Sequence, residues 1–385
     1  MNKTTLEWLV CKTCEEKKPI THFHQRAKSK TGYAPSCRTC INAKRRSKKT
    51  TSVGTGTQLK TLVKKGDLEG LKVLLAKMPT QSFDPLLNAC VTPYVSYPKK
   101  TTHIELARYL IQKGANPNAR GTQGEHLLSL AAKTGQPDLA DALIDEGATI
   151  DFFNAAAILD LSAVKAFLKS DQAFAKAVDE NGLTGLHYCA GSALGSVSGA
   201  YQQRQLSIID LLLNAGSDPN LEVDMGIAVT PLVACCQSGG VVPVIQLLVR
   251  GGANPNHPHA LRSVLRHFKK KRTSENLVAN ALVDCGCDVD GLIDSERTCL
   301  HLYSHHEEIQ AVSWLLEHGA SVHVRIADGR TPLHLAAERN NNTTVAKLLL
   351  DNGADIEATD TLGKKPIDYA LSNNKTKIVA FLRNQ

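Results

Sequence analysis

Gly329-Arg330-Thr331-Pro332-Leu333-His334-Leu335-Ala336-Ala337 is answered 34 residues later by Gly363-Lys364-Lys365-Pro366-Ile367. Self-similarity at a period of 33–34 residues signals stacked copies of one supersecondary unit, none of which can bury its apolar face alone. Such a stack is quasi-one-dimensional and offers a long surface to a partner. The stretch therefore points to an interaction scaffold, and any enzymatic reading has to be carried by residues outside it.

A second marker keeps the period. Gly-Ala or a close substitute closes the units at Gly114-Ala115, Gly147-Ala148, Gly216-Ser217, Gly252-Ala253, Gly286-Cys287, Gly319-Ala320 and Gly353-Ala354, with spacings of 33, 69, 36, 34, 33 and 34 residues. The double-length interval holds one short, glycine-free unit around residues 153–179. Each glycine follows an apolar run such as Val345-Ala346-Lys347-Leu348-Leu349-Leu350, where a helix ends in a left-handed conformation that penalises a β-carbon. Asn116-Pro117-Asn118, Asp218-Pro219-Asn220 and Asn254-Pro255-Asn256 carry turn chemistry behind three of them.

The Thr-Pro-Leu-His box opens a helix. Proline suits the first turn, threonine caps it, and leucine with the following alanines packs helix on helix. The box is intact at Thr331-Pro332-Leu333-His334. Thr184-Gly185-Leu186-His187 and Thr298-Cys299-Leu300-His301 lack the proline, and Thr230-Pro231-Leu232-Val233 lacks the histidine. At this spacing the histidines read as structural hydrogen-bonders between units rather than as ligands or bases. Box and Gly-Ala steps together resemble the ankyrin-repeat family from about Thr57 to the end. The resemblance implies a mostly α solenoid: antiparallel helix pairs joined by β-hairpin fingers, with partners usually contacted at the fingers (residues 120–123, 222–227, 323–328 and 359–362) and adjoining first helices. Residues 58–385 divide into about ten units, starting near Gln58, Ser82, Gly121, Phe152, Glu180, Gly226, His257, Asp294, Ala327 and Thr361. The seventh is degenerate, because Leu261-Arg262-Ser263-Val264-Leu265 lacks the box; the first and last read as polar caps.

Composition fits this picture, at 42% hydrophobic and 5% aromatic residues. No apolar run reaches a membrane span and no signal peptide opens the chain. A cytoplasmic protein is expected, or a nuclear one in a eukaryotic host. The net charge of +8 is unevenly placed: residues 1–50 hold 13 Lys and Arg against 3 Glu, and the remaining 335 hold 32 against 34 acids. The basic character thus belongs to the first 50 residues, which should seek something acidic. Seven of the 11 cysteines are scattered through the repeats, Cys235, Cys236, Cys287 and Cys299 among them. They read as buried thiols of a reducing compartment.

The other four form two knuckles, Cys11-Lys12-Thr13-Cys14 and Cys37-Arg38-Thr39-Cys40, separated by 22 residues. Four thiolates in two such pairs suit one tetrahedral, closed and structural Zn2+ site. A fragment of this size would fold with its metal. His22 and His24 are alternative ligands, although residues 21–24 read better as a short strand. The run from Cys11 to Lys49 also resembles the zinc module at the start of phage and bacterial endonucleases of the His-Asn-His class. The catalytic segment of those enzymes does not follow; instead come Ala43-Lys44-Arg45-Arg46-Ser47-Lys48-Lys49, a linker over 51–57 and the repeats. Lys28, Lys30, Arg38, Lys44, Arg45, Arg46, Lys48 and Lys49 are the candidates for DNA or RNA phosphate contacts. The same charges also suit a solvated tail or a nuclear import signal.

Three units carry extra residues between their helices: residues 92–100 with Tyr94, Tyr97, Lys99 and Lys100, residues 191–205 with Tyr201, and residues 268–272 with Lys269, Lys270, Lys271 and Arg272. Insertions at one place in the unit share one edge, so these side chains are candidate contacts for an acidic protein partner. Drift in surface loops accounts for them more simply. Catalytic motifs fail on inspection: Gly195-Ser196-Val197-Ser198-Gly199 puts valine at the nucleophile position. His305-His306-Glu307-Glu308 falls in an inter-helix turn. The expectation is a scaffold without enzymatic activity, binding an unidentified protein through the repeats and nucleic acid through residues 1–50. The alternative is a nuclease-related factor that uses the repeats for targeting or inhibition.

Overall fold

In the computed structural model, which describes residues 8–11, 17–19, 21, 54–76, 83–92, 101–121, 124–268, 273–294, 296–339 and 341–385, helices follow one another in pairs. They fall into two compact units, residues 1–90 with 94–114 and residues 91–93 with 115–385.

In the first unit β1 (Trp8–Val10) pairs antiparallel with β2 (Lys17–Pro19), Val10 opposite Lys17. Residue Thr21 adopts a 3-10 turn rather than the expected strand, and residues 22–24 lie outside the described residues. Helices α1 (Gly54–Lys65), α2 (Leu68–Leu75), α3 (Asp84–Val91) and α4 (Thr101–Gln112) follow. The start of α1 falls inside the stretch 51–57 expected to be a linker. Leu59 and Val63 are fully buried on α1, and a helix nucleated by that burial propagates into neighbours of weak propensity at little cost. Asp67 caps α2, its carboxylate accepting from the Gly70 amide at 2.9 Å.

The second unit holds eight pairs: α5 (Leu127–Lys133) with α6 (Pro137–Asp145), α7 (Phe152–Ala157) with α8 (Leu161–Ser170), α9 (Gly185–Ala190) with α10 (Gly199–Asn214), and α11 (Pro231–Gln237) with α12 (Val242–Arg250). Next come α13 (Pro258–Leu265) with α14 (Thr273–Asp284), α15 (Cys299–His306) with α16 (Ile309–Glu317), α17 (Pro332–Arg339) with α18 (Thr344–Asp351), and α19 (Pro366–Ser372) with α20 (Thr376–Arg383). First helices pack on first helices from α5 to α13 and from α15 to α19. The Tyr303 hydroxyl joins the two runs by donating to the Arg262 carbonyl at 2.8 Å. Small residues such as Ala156, Ala190 and Ala337 are fully or almost fully buried along this row and let the backbones approach closely.

Local chemistry sets each boundary. Thr184, Thr230 and Thr298 cap their helices through the hydroxyl. In the seventh pair His257 takes that place: its Nδ1 accepts from the His259 amide at 3.3 Å and Pro258 fills the first turn. The seven closing glycines all have φ between 84° and 101°, the left-handed termination in which a side chain is strained. Behind them an amide ladder ties one unit to the next. Asn118 donates to the Gly147 carbonyl (3.3 Å) and accepts from the Thr149 amide (2.7 Å). Asn220 repeats this with Gly252 (2.7 Å) and Asn254 (2.8 Å). Asn256 accepts from Asp288 at 2.6 Å, and the Asp290 carboxylate from Ser321 at 3.0 Å.

Fingers precede the first helices. The fullest is β3 (Val223–Asp224) paired with β4 (Ala228–Val229); single bridges join Arg120 to His126, Val178 to Thr184 and Leu292 to Thr298. The fourth pair, α7 and α8, has no finger: Asp151 caps α7 directly, accepting from the Asn154 amide at 2.7 Å. Its neighbours close over it. On the finger side Arg120 forms an ion pair with Glu180. On the turn side Ala193, from the insertion of the fifth pair, lies 3.5 Å from the position of a β-carbon on Gly135. That insertion is not the loop its Gly/Ser content suggested. Residues Ala193–Ser196 form a 3-10 turn, and α10 starts at Gly199 and runs for 16 residues, capped by Ser198.

The missing proline at Gly185 has a steric cause. Phe152 is 2% exposed and sits among Phe153, Phe167 and Phe174 with ring centroids 5.2–5.9 Å away. A β-carbon on Gly185 would stand 2.7 Å from the Phe152 ring. Gly185→Pro, which completes the repeat box, is therefore expected to lower stability by about 1–3 kcal/mol in denaturant titrations. The loss should shrink in a Phe152→Ala background, and a strictly additive double-mutant cycle would contradict this account.

Candidate functional site

The box histidines are held inside the stack. His187 and His334 are 3% and 0% exposed. In each, Nδ1 accepts from the threonine amide that opens the helix, at 3.2 Å from Thr184 and 3.1 Å from Thr331. A backbone N–H can only donate, so Nδ1 carries no proton and the ring is the neutral Nε2–H tautomer. That Nε2–H reaches the next unit, at 3.1 Å from the Leu221 carbonyl for His187 and 3.1 Å from the Lys364 carbonyl for His334. Burial lowers the pKa of His187 and of His301 to about 4. The His187 and His334 imidazoles are ties between units.

Carboxylates do the equivalent work in the fingers. Asp179 accepts from the amides of Asn181 and Leu183 at 2.9 and 2.8 Å. Asp360 accepts from Leu362 and Lys364, both at 2.8 Å. A tyrosine nine residues on donates to each carboxylate, Tyr188 to Asp179 and Tyr369 to Asp360. Burial and the Asp179 bond push the Tyr188 hydroxyl well above its ordinary pKa. The fingers at residues 178–184 and 292–298 escaped the sequence reading; their signal is this aspartate shortly before the box threonine, as in Asp179-Glu180-Asn181-Gly182-Leu183-Thr184.

Between fingers and first helices lies a groove of about 650 Å3, lined from α5 to α13. Leu130, Leu183, Ile227 and Val229 supply apolar surface, and Met225 on the β3–β4 finger is 42% exposed beside them. Lys133 on α5 and Arg266 beyond α13 line it from its opposite ends and are both exposed. Four layers separate them, on the order of 30–40 Å at usual helix spacings.

The structure places few of the sequence candidates. Cys11 is buried at the end of β1, whereas Cys14, Cys37 and Cys40 lie outside the described residues, as do Lys28, Lys30, Arg38, Lys44, Arg45, Arg46, Lys48 and Lys49. Tyr94, Tyr97, Lys99, Lys100, Lys269, Lys270, Lys271 and Arg272 lie outside them too. Tyr201 is half-buried against the core, with the Arg204 guanidinium 5.4 Å over its ring. Phe268, the first residue of the third insertion, is 5% exposed and packs edge-on against Trp314 at 6.0 Å. His305 and His306 close α15, and Glu307 turns the chain with φ 60°. Among the described residues no group of three His, Cys, Asp or Glu is arranged to hold a metal ion. Burial raises the Cys235 and Cys287 thiols to about 11, which keeps them protonated and unreactive. No described helix is long and apolar enough to cross a membrane.

Paired helices, hairpin fingers and stacked first helices define a helical repeat solenoid. Sequence comparison gives the class its name. Models described as "Ankyrin repeats (3 copies)" match residues 267–360 and 325–385, and one described as "Ankyrin repeats (many copies)" matches residues 100–144. The chain is an ankyrin-repeat protein. It is similar to a putative ankyrin repeat protein of Fowlpox virus (29% identity over 37% of this chain and 43% of that one). It is also similar to one of Rickettsia bellii (34%, over 30% and 35%) and to the human B-cell lymphoma 3 protein (31%, over 38% and 33%). The chain thus spans less than half the length of these relatives. A crystal structure of the human ASB11 ankyrin repeat domain aligns with a TM-score of 0.44 at 25% identity, covering 61% of this chain and 98% of that one.

The buried box histidines carry a pH dependence of definite sign. Folding lowers the pKa of His187 and His301 to about 4, against about 6.5 for an unfolded histidine. Their contribution is complete above pH 6.5 and is lost as pH falls towards 4, where the unfolded chain takes up protons that the fold refuses. Thermal unfolding of His187→Gln/His301→Gln should start from a lower Tm at pH 7.5. It should then fall less steeply than wild type between pH 6.5 and 4; parallel curves would contradict the assignment.

Proposed function

We propose that the chain is a protein-binding scaffold whose partner lies in the groove between fingers and first helices. The observation that carries this is the groove itself: an apolar floor with an exposed, adaptable methionine and a cation at either end. A segment of about 10 extended residues spans such a distance. Lys133 and Arg266 favour acidic side chains near its ends, in keeping with the acidic partner expected from the basic insertions. No catalytic role is proposed. To test it, Lys133→Glu/Arg266→Glu and Met225→Asp are compared with wild type in capture of binding proteins. Loss of the same partners in both variants, at unchanged Tm, is the expected result; retention of every partner would refute the groove.

Residues 1–50 are proposed to act separately, as a module holding structural Zn2+ on Cys11, Cys14, Cys37 and Cys40 and contacting DNA or RNA phosphates. What supports this is the knuckle spacing and the concentration of charge. With four protein ligands the metal keeps no open position and serves folding alone. The full chain should carry one zinc per molecule and bind a duplex in a strongly salt-dependent way. Both properties should disappear in Cys37→Ser and on deletion of residues 1–50. Unchanged retention would remove nucleic acid from the account, and metal-dependent cleavage by wild type alone would favour a nuclease-related role.

A further inference from the structure

The second unit holds six cysteines and one methionine, and the methionine is the sulfur that folding leaves open to attack. Cys189, Cys235, Cys236, Cys287 and Cys299 are buried, and Cys285 is half-buried. Burial raises all six thiols above their ordinary pKa, Cys235 and Cys287 to about 11. Oxidants such as hydrogen peroxide attack the thiolate, so these groups are shielded both by packing and by their protons. A thioether has no proton to lose, and its oxidation is governed by access alone. Met225 stands exposed on the β3–β4 finger.

The finger is held without that side chain. Val223 and Val229 are buried on either side of the tip. The Nε2–H of His187 reaches the Val229 carbonyl at 3.3 Å, and His257 Nε2 lies 3.3 Å from the Glu222 carboxylate. The Asp224 carboxylate closes the turn by accepting from the Gly226 amide at 2.9 Å, and the Met225 amide donates to the Ile227 carbonyl at 3.0 Å. The Met225 thioether takes part in none of these bonds. It lines the groove together with Leu183, Ile227 and Val229. An oxygen added to this sulfur alters the groove surface and leaves the finger intact.

We propose that Met225 is a reversible sulfoxidation site through which peroxide closes the groove to apolar side chains. Oxygen passes from hydrogen peroxide to the sulfur. The O–O bond breaks, an S=O bond forms and water leaves, the sulfur losing the two electrons that the peroxide gains. A dithiol-dependent sulfoxide reductase reverses the step, releasing the oxygen as water while its thiols join in a disulfide. Sulfoxidation makes a flexible apolar side chain polar, and an apolar side chain laid over it would bury an acceptor without a donor. The effect on binding rests on the groove being the partner's seat; the modification itself does not.

The full chain is treated with hydrogen peroxide at neutral pH, and oxygen uptake at each Met and Cys is read by peptide mass mapping. Met225 should gain an oxygen before any cysteine of the second unit, and methionine sulfoxide reductase should remove it, with Tm unchanged throughout. In guanidinium chloride the thiols should overtake it, because unfolding removes their shielding. Anilinonaphthalene sulfonate, an apolar dye whose anion suits Lys133 or Arg266, reports on the groove. Its affinity should fall about tenfold on oxidation and recover on reduction. In Met225→Leu the dye affinity should be the same before and after peroxide. No oxygen on Met225, earlier oxidation of a cysteine of the second unit, or a dye affinity indifferent to peroxide in wild type would each overturn the proposal. So would peroxide sensitivity that persists in Met225→Leu. Partner capture that is lost in Lys133→Glu/Arg266→Glu yet indifferent to peroxide would overturn it and leave the groove standing. Capture that persists in that variant and in Met225→Asp, with Met225 still taking up oxygen, would instead refute the groove and with it the effect on binding.

Discussion

A neutral imidazole facing the next unit is the interaction on which the stack depends. One nitrogen of His187 or His334 accepts from the amide that begins its own helix, and the other donates to a carbonyl of the following unit. Each ring therefore settles a helix start and an inter-unit spacing at once. Both bonds require the same tautomer, and a proton taken up at Nδ1 would break the bond from the threonine amide while leaving the Nε2–H bond to the next unit. Where the histidine is replaced, as by Val233, the Thr230 hydroxyl still caps the helix, but the tie to the next unit is left to packing and the amide ladder.

The ladder works in the same manner from the other end of the unit. Asn118, Asn220, Asn256 and Asp290 satisfy backbone groups just after a helix terminus, where a chain would otherwise leave them open. With both ends of the unit fixed, variation is confined to the fingers and the inter-helix turns. The groove is lined by finger residues such as Met225, and a second cleft among the second helices by turn residues such as Leu159. Both concavities thus draw on positions that stacking leaves unconstrained.

The helical repeat fold and the scaffold role of the histidines were legible in the sequence, because threonine, proline, histidine and glycine each answer to one local backbone demand. Features decided across units were not. Gly185 looked like a decayed box, and only the Phe152 ring, 33 residues earlier, explains it. Residues 191–205 looked like a Gly/Ser loop, whereas burial of Gln205 turns their second half into helix. The fingers at 178–184 and 292–298 were hidden behind imperfect boxes. Neither groove nor second cleft has a motif, since each is assembled from single residues of several units.

Stacks of repeats are usually treated as chains in which each unit senses only its immediate neighbours. The short fourth pair breaks that rule. The ion pair from Arg120 to Glu180 and the contact between Ala193 and Gly135 link the third pair to the fifth directly. A second-neighbour coupling of this kind merges three units into one cooperative block, a place where fraying from either end of the solenoid must halt or take all three together.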